Sequence, residues 1–487
     1  TDKSTVSTET VSEGNTMDDS TDEIANIVMQ WPSMGSTGTG FQAVEDALNS
    51  MLEKDIGVHV TLEPVIFQEL TNATTLAVSS GEQLDICLNV GGSLQSNVSN
   101  GLIQPIDEYV EQYGDAIKEK CGEKIKGCYL QGNLYAVPVT DVDGNAFGYI
   151  ARKDLLEKYG IEIDSDKVYS VEEMEDIFAK VKAGEGDNFF CQIPALDPNF
   201  PLHGSYMELD TLGSTTASGV MMLNRSFTDL KVENLYETEE WRDFCYRMKD
   251  WNEAGLQLDD PLNNERTITQ YNNGVAAGCY LGGYSPDYIK ALISYSPYEP
   301  IEFQLTDLVG TSASVLGGWM ISTVCKNPDA AMKILYLMAT DEVVARYMIL
   351  GIEGHNYTVD ENGIARFPEG VDANNATWNM NGPWYYPNQC LSLPLEVEMS
   401  TYYTDMLDAP NHAKFSEAMG FIFDSAPVYD QMAACTTVVA EYRDALLYGL
   451  VDVDSYLEKF NEELKAAGID EIIAEEQKQF DAWLAAQ

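Results

Sequence analysis

Residues 25 to 62 read ANIVMQWPSMGSTGTGFQAVEDALNSMLEKDIGVHVTL. Ile27, Val28 and Met29 form a short apolar run that stops at Trp31-Pro32, and a loop follows from Ser33 to Gly40. Phe41, Val44, Leu48, Met51 and Leu52 then recur at helical spacing, whereas Val58, Val60 and Leu62 alternate as one face of a strand does. The order is strand, helix, strand. Working outward, a helix through Leu70, Ala73 and Ala77 stops at Ser79-Ser80-Gly81, and Asp85 to Val90 reads as a further buried strand closed by Gly91-Gly92. Strands alternating with helices predict parallel α/β packing, since a parallel pair needs a crossover and a helix supplies it.

The pattern continues less regularly. Helices are predicted at 171–182 and 239–254, the second with Trp241, Phe244, Cys245, Met248 and Trp251 on one face. Residues 275–281 read as a strand ending at Gly282-Gly283-Tyr284, and the uncharged stretch 308–325 as core strands. Asn327-Pro328-Asp329 opens a helix to about Ala339, another continues from Asp341, and Gly351 is its natural stop. From His412 onward nearly everything reads as helix, including 429–448 and 453–467.

The chain has 487 residues, enough for two or three packed units, and 28 Lys plus Arg stand against 79 Asp plus Glu, for a net charge of −51. Binding to nucleic acid or to an anionic membrane surface by general electrostatics is excluded, because a polyanion would be repelled before contact. Hydrophobic residues still make up 45%, so the charge is solvated surface on a folded protein. The exception is 1–23, where ten Ser or Thr and seven Asp or Glu leave only Val6, Val11 and Met17 for a core, as expected of a disordered tether. The absence of an initial Met and of a signal sequence fits a mature or trimmed form, or simply the boundary of the piece.

Nine cysteines without a C-x-x-C pair rule out zinc ribbons and thioredoxin-type motifs. Cys121 and Cys128 are the only near neighbours, either a disulfide or two small buried thiols. The four histidines form no H-E-x-x-H, and no G-x-S-x-G or P-loop lysine occurs, so no catalytic residue, metal set or cofactor is assigned. The loop Gly35-Ser-Thr-Gly-Thr-Gly40 has the glycines of a phosphate cradle without its lysine. Asp141-Val-Asp-Gly-Asn145 begins like a calcium loop, but Ala146 takes the glycine position and Arg152 that of the bidentate Glu, which leaves a polar loop.

Aromatic residues flanked by Gly or Pro are the most informative feature: Trp31-Pro32, Gly283-Tyr284, Gly318-Trp319, Trp378 and Pro383-Trp384-Tyr385-Tyr386-Pro387. Sugar rings stack their C–H faces on such side chains while carboxylates and amides meet their hydroxyls. Each ring taken singly is as readily core. The candidate ligand-binding residues are therefore Trp31, Asn89, Asp141, Asn145, Tyr284, Trp319, Trp378, Trp384 and Tyr386.

Tyr135-Ala-Val-Pro138, a polar loop, Phe147-Gly-Tyr-Ile-Ala151 and then Arg152-Lys-Asp-Leu-Leu-Glu-Lys-Tyr-Gly-Ile161 resemble extracellular solute-binding proteins of ABC importers. Ser79-Ser-Gly-Glu-Gln-Leu-Asp-Ile86, Gly101-Leu-Ile-Gln-Pro-Ile106 and Gly317-Gly-Trp-Met-Ile-Ser322 before Lys326-Asn-Pro-Asp-Ala-Ala331 continue the likeness in order. Gly351-Ile-Glu-Gly-His-Asn-Tyr357 with Asp360-Glu-Asn-Gly363 is similar to the larger lipoprotein subgroup of Gram-positive bacteria. The resemblance spans about 25–487. It implies a two-lobed α/β fold of the periplasmic-binding-protein type (type II), lobes joined by hinge strands, with a helical C-terminal region and the ligand between the lobes. It also implies permease subunits as membrane partners and a lipid-modified cysteine upstream of the tether, hence an extracellular, surface-anchored protein.

The expected division is a tether at 1–23, one lobe from 24–142 plus about 305–350, and a second from about 143–304 plus 351–487. The expected function is capture of an oligosaccharide by a monomer for delivery to an ABC permease, without catalysis. A peptide-binding member of the same fold and a surface glycoside hydrolase are the alternatives.

Overall fold

A computed structural model describes residues 24–33, 38–90, 94–113, 116–139, 146–164, 167–186, 209–210, 212, 220–223, 229–257, 267–282, 296–310, 317–372, 375–378, 383–396 and 400–486. The opening stretch folds as its periodicities require, into β1 (Ala25–Ser33), α1 (Phe41–Ile56) and β2 (Val58–Ile66), followed by α2 (Leu70–Ser80) and β3 (Ile86–Val90). Gly57 ends α1 at φ 66° and its amide donates back to the last turn, a conformation that glycine adopts without a Cβ penalty.

Further strands that frame the site are β4 (Ala136–Pro138), β5 (Phe147–Arg152), β6 (Gly278–Gly282), β7 (Pro300–Gln304), β8 (Val309–Gly310), β9 (Gly317–Ile321) and β10 (Lys414–Phe415). The first sheet has the order β2-β1-β3-β9-β4. β1 runs parallel to β2 over nine residues, from Ala25↔Val58 to Ser33↔Ile66, and parallel to β3. β9 is antiparallel to both β3 and β4. The parallel prediction therefore holds for β1 to β3 and fails at β9, because β9 belongs to a returning segment and not to a crossover unit. One edge of the sheet thus gathers the carboxyl ends of β1, β2, β3 and β4 with the amino end of β9. Val139 and Gly317 meet at that edge, where the Val139 amide donates to the Gly317 carbonyl at 3.2 Å.

In the second lobe β5 lies between β6 and β7, antiparallel to each. Around it pack α3 (Val171–Glu185), opened by a reciprocal Ser170–Glu173 capping box, and α4 (Glu239–Glu253), whose five expected core residues are all buried. In the first lobe Asn327 caps α5 (Pro328–Thr340), Asp341 caps α6 (Glu342–Leu350), and Gly351 ends the latter. The last helices are α7 (Tyr429–Leu447), α8 (Val453–Ala467) and α9 (Ile469–Leu484). Between His412 and α7 the chain forms β10 and a short 3-10 turn, so helix begins later than expected.

Among the described residues two large cores form, beside a small cluster of Tyr402, Tyr403 and Met406. Ile27, Met29, Leu48, Leu88, Trp319, Leu335 and Met348 belong to the first, and Tyr149, Phe178, Trp241, Phe244, Tyr442, Phe460 and Ile472 to the second. Tyr442 stacks on Phe460 at 5.2 Å and 5°, so the C-terminal helices complete the second core. Tyr357, Ala365, Trp378, Tyr385 and Tyr386 pack in the same core as Ile27 and Trp319, whereas the expected division put them in the second lobe. Gly351 stops a helix without leading out of the lobe, since Asn356 Oδ1 accepts the Ile352 amide at 2.8 Å and turns the chain back.

Cys121 and Cys128 are both free and buried, which selects the packed-thiol alternative.

Candidate functional site

The edge where the strands end is the place to look, because open α/β sheets meet ligands at the carboxyl ends of their strands. Beyond β1, Gly38 has φ 76°, and a Cβ on it would lie 2.2 Å from the Thr377 carbonyl oxygen. The Gly40 amide donates to that same carbonyl at 2.8 Å. The glycine pattern thus seats residues 375–378 against the start of α1, and the Gly40 N–H that a phosphate would use is already taken. Asn356 holds the contact from behind, its Nδ2 donating to Thr377 Oγ1 at 3.1 Å.

Thr377 brings Trp378 with it. The Trp378 ring lies 5.4 Å from that of Trp31 and 5.5 Å from that of Phe41. Trp31 and Trp378 are 2% and 3% exposed, so neither offers an open ring face. Trp319 is fully buried, and its Nε1 donates to the Tyr385 carbonyl at 2.8 Å. Tyr385 in turn donates its hydroxyl to the Pro32 carbonyl at 3.4 Å. Tyr386 is fully buried as well, and loss of hydration pushes its phenol well above the usual value. These four expected stacking residues, Trp31, Trp319, Trp378 and Tyr386, are buried side chains of the first core in this structure.

Trp384 is different. It is half-buried, in a short 3-10 turn at Pro383–Tyr385, with the Phe67 ring edge-on at 5.7 Å and Tyr385 at 5.4 Å. Asn89, one residue from the carboxyl end of β3, is 3% exposed and pairs with Gly318. A Cβ on Gly318 would approach the Val137 carbonyl to 2.8 Å, so glycine there permits the close packing of β9 on β4. Asp141, Asn145 and Tyr284 lie outside the described residues.

The structure also brings the Phe67 ring to this edge, which the choice of Gly- and Pro-flanked aromatics passed over. A signal was present. The alternation of β2 breaks into Val65-Ile66-Phe67, three apolar residues in a row, and Ile66 is 58% exposed. A run of apolar residues at a strand end with Ile66 exposed is unfavourable unless something covers it.

No group of three or more His, Cys, Asp or Glu placed to hold a metal occurs among the described residues. An ion triad marks the far end of the first-lobe segment. Arg366 pairs with Asp360 at 2.9 Å and with Glu396 at 3.4 Å, and hydrogen bonds from the Ile364 amide and Arg366 hold the Asp360 carboxyl below its usual range. Glu396 itself has φ 66°, a left-handed conformation uncommon outside glycine.

Two α/β lobes, each with its own core, joined where the strands of the first sheet end, define a two-lobed binding-protein fold. Residues 47–357 match the bacterial extracellular solute-binding protein family, and the chain belongs to that family. Residues 417–485 match a domain described as of unknown function. A carbohydrate ABC transporter substrate-binding protein of Streptococcus pneumoniae is 24% identical over 447 residues, covering 90% of this chain and 87% of the relative. The crystal structure of the N-glycan transport solute binding protein NgtS from Streptococcus pneumoniae superposes with a TM-score of 0.81 at 21% identity, over 95% of this chain and 99% of that one. NgtS in complex with Man1GlcNAc superposes at 0.72 and 20% identity, over 95% and 100% of the two chains.

Proposed function

We propose that this protein captures an oligosaccharide between its lobes and hands it to the permease subunits of an ABC importer. The observation that carries the reading is that the strand-end edge of the first lobe gathers aromatic side chains, of which Trp384 and Phe67 are only partly buried while Trp31, Trp319, Trp378 and Tyr386 are buried. Half-buried rings offer a C–H stacking face that a peptide terminus would not need. The glycan-related names of the protein's relatives support the same substrate class. Asn89, Asp141, Asn145 and Tyr284 are proposed to meet the hydroxyls and the opposite face of the sugar. The protein acts as a monomer and returns its ligand chemically unchanged. It works at the cell surface, held by a lipid-modified cysteine upstream of the acidic Ser/Thr-rich segment.

Calorimetry against a glycan panel that includes Man1GlcNAc tests this. Saturable binding, weakened by about 1 to 3 kcal/mol in Trp384→Ala, supports it. Binding of peptides in place of glycans, or time-dependent release of shorter sugars, would replace it with one of the two alternatives.

A further inference from the structure

Trp384 sits on a turn of three residues, where the backbone alone does not fix the ring, and an unfixed ring loses rotamer freedom each time a ligand stacks on it. Its neighbour Tyr385 is anchored twice, by Trp319 Nε1 at its carbonyl and by its own hydroxyl at Pro32. That anchoring fixes the main chain of the turn and leaves the indole of Trp384 to be set by the rings beside it. Phe67 comes from a different element, just past β2, whose register against β1 is fixed up to Ser33↔Ile66. Its ring meets Trp384 at 5.7 Å and 66°, and also Tyr385 at 6.1 Å and 33°. A ring mounted just past the end of a paired strand is thus wedged against the half-buried ring of a turn.

We propose that Phe67 is a positioning residue for the glycan site: it holds the Trp384 indole at the angle in which the sugar meets it. The inference rests on the reading of the site given above. Phe67 acts through Trp384, so its contribution vanishes when Trp384 is gone.

A double-mutant cycle with Man1GlcNAc as the first probe tests it, using Phe67→Leu, Trp384→Ala and the pair, with near-ultraviolet circular dichroism of the ligand-free proteins alongside. Phe67→Leu is expected to weaken binding about twofold to tenfold, the range of one aromatic contact. In the Trp384→Ala background it is expected to weaken binding no further. Its tryptophan dichroism bands are expected to change in the otherwise unaltered protein and to stay unchanged in the Trp384→Ala background. Phe67→Tyr, which keeps the ring, should restore both readouts and covers the case in which Phe67→Leu fails to fold. Losses that add in the double variant, or tryptophan bands that Phe67→Leu leaves untouched, would overturn the proposal. If the unaltered protein bound no glycan of the panel, the proposed function would fall while the dichroism still decided whether Phe67 positions Trp384.

Discussion

Asn49 stands in for a strand neighbour of Val60: its Oδ1 accepts the Val60 amide and its Nδ2 donates to the Val60 carbonyl, both at 2.8 Å. One helical turn earlier, Glu45 Oε2 accepts the Leu62 amide at 2.7 Å. The next position on the same side of β2 is Pro64, which has no amide to satisfy. β2 is the outer strand of the first sheet, and an open strand edge invites pairing with another chain. Two side chains of α1 and one proline therefore finish this edge.

Asn49→Leu leaves two buried main-chain groups without partners, so the urea midpoint is expected to fall by the equivalent of about 2 to 4 kcal/mol. Asn49→Asp keeps the acceptor and loses the donor, and should fall by less. Equal midpoints in all three proteins would mean that water satisfies the edge equally well.

Trp319 and Trp384 should separate stability from binding. Trp319→Phe strands the buried Tyr385 carbonyl and is expected to cost about 1 to 3 kcal/mol of stability. Trp384→Ala removes a half-exposed ring and should leave the unfolding midpoint close to that of the unaltered protein while weakening glycan binding. Thermal unfolding and calorimetry on the two variants check this. The reverse pattern would return Trp319 to the ligand and assign Trp384 to packing.

Alkali should destabilise the protein relative to neutral pH. Burial pushes the Cys87 thiol from 9.0 to about 12 and the Tyr448 phenol from 10.0 to about 12, and raises Cys128, Cys245, Tyr236 and Tyr385 further still. In the unfolded chain these groups ionise at their ordinary values, so above about pH 9 the folded state binds more protons than the unfolded one. Their stabilising effect is complete below pH 9 and is lost as pH rises through 9 to 12. Each group steepens the fall by about 1.4 kcal/mol per pH unit once its unfolded value is passed. Urea midpoints should be level from pH 7 to 8.5 and drop beyond 9; a level profile to pH 11 would contradict the burial of these groups.

The first lobe was legible because its signals are local. Phe41, Val44, Leu48 and Leu52 can share a face only on a helix, and Asn327-Pro328 can open one with no help from distant residues. The lobe boundary was not local. Gly351 marks a helix end correctly, but whether the chain then leaves the lobe depends on Asn356 and Thr377 docking on Gly38 and Gly40, more than 300 residues earlier in the chain. The aromatic readings divided for a related reason. In Pro383-Trp-Tyr-Tyr-Pro387 the flanking prolines announce a turn, and only the packing against Trp319 and Pro32 decides that Tyr385 and Tyr386 face in while Trp384 stays half out. Phe67 was passed over because it follows a strand without Gly or Pro beside it.

Among the described residues, two segments that lie between stretches of different cores are tied together. β8, ahead of β9, runs parallel to β10, ahead of α7, pairing Val309 with Lys414 and Gly310 with Phe415. The Lys414 amide donates to Leu308 at 2.9 Å, the Ser416 amide to Gly310 at 2.8 Å, and Lys414 forms an ion pair with Asp307. Two strands that cannot slide independently make one joint, so the lobes are expected to rotate about this pair and the segment after Val139. A ligand that touches both lobes binds the closed form better, and closes the protein by that difference and no more. Small-angle scattering should therefore give a smaller radius of gyration with saturating glycan than without. Gly310→Ala tests the joint itself, because the added Cβ would lie 2.4 Å from Phe415 Cδ1 and must push that ring away. The variant should have a larger ligand-free radius of gyration, and its affinity should fall by the factor by which its closed fraction falls. Asp307→Asn, which removes only an exposed ion pair, should change neither by much. Identical scattering for Gly310→Ala and the unaltered protein, with binding intact in both, would show that the tie does not govern the motion.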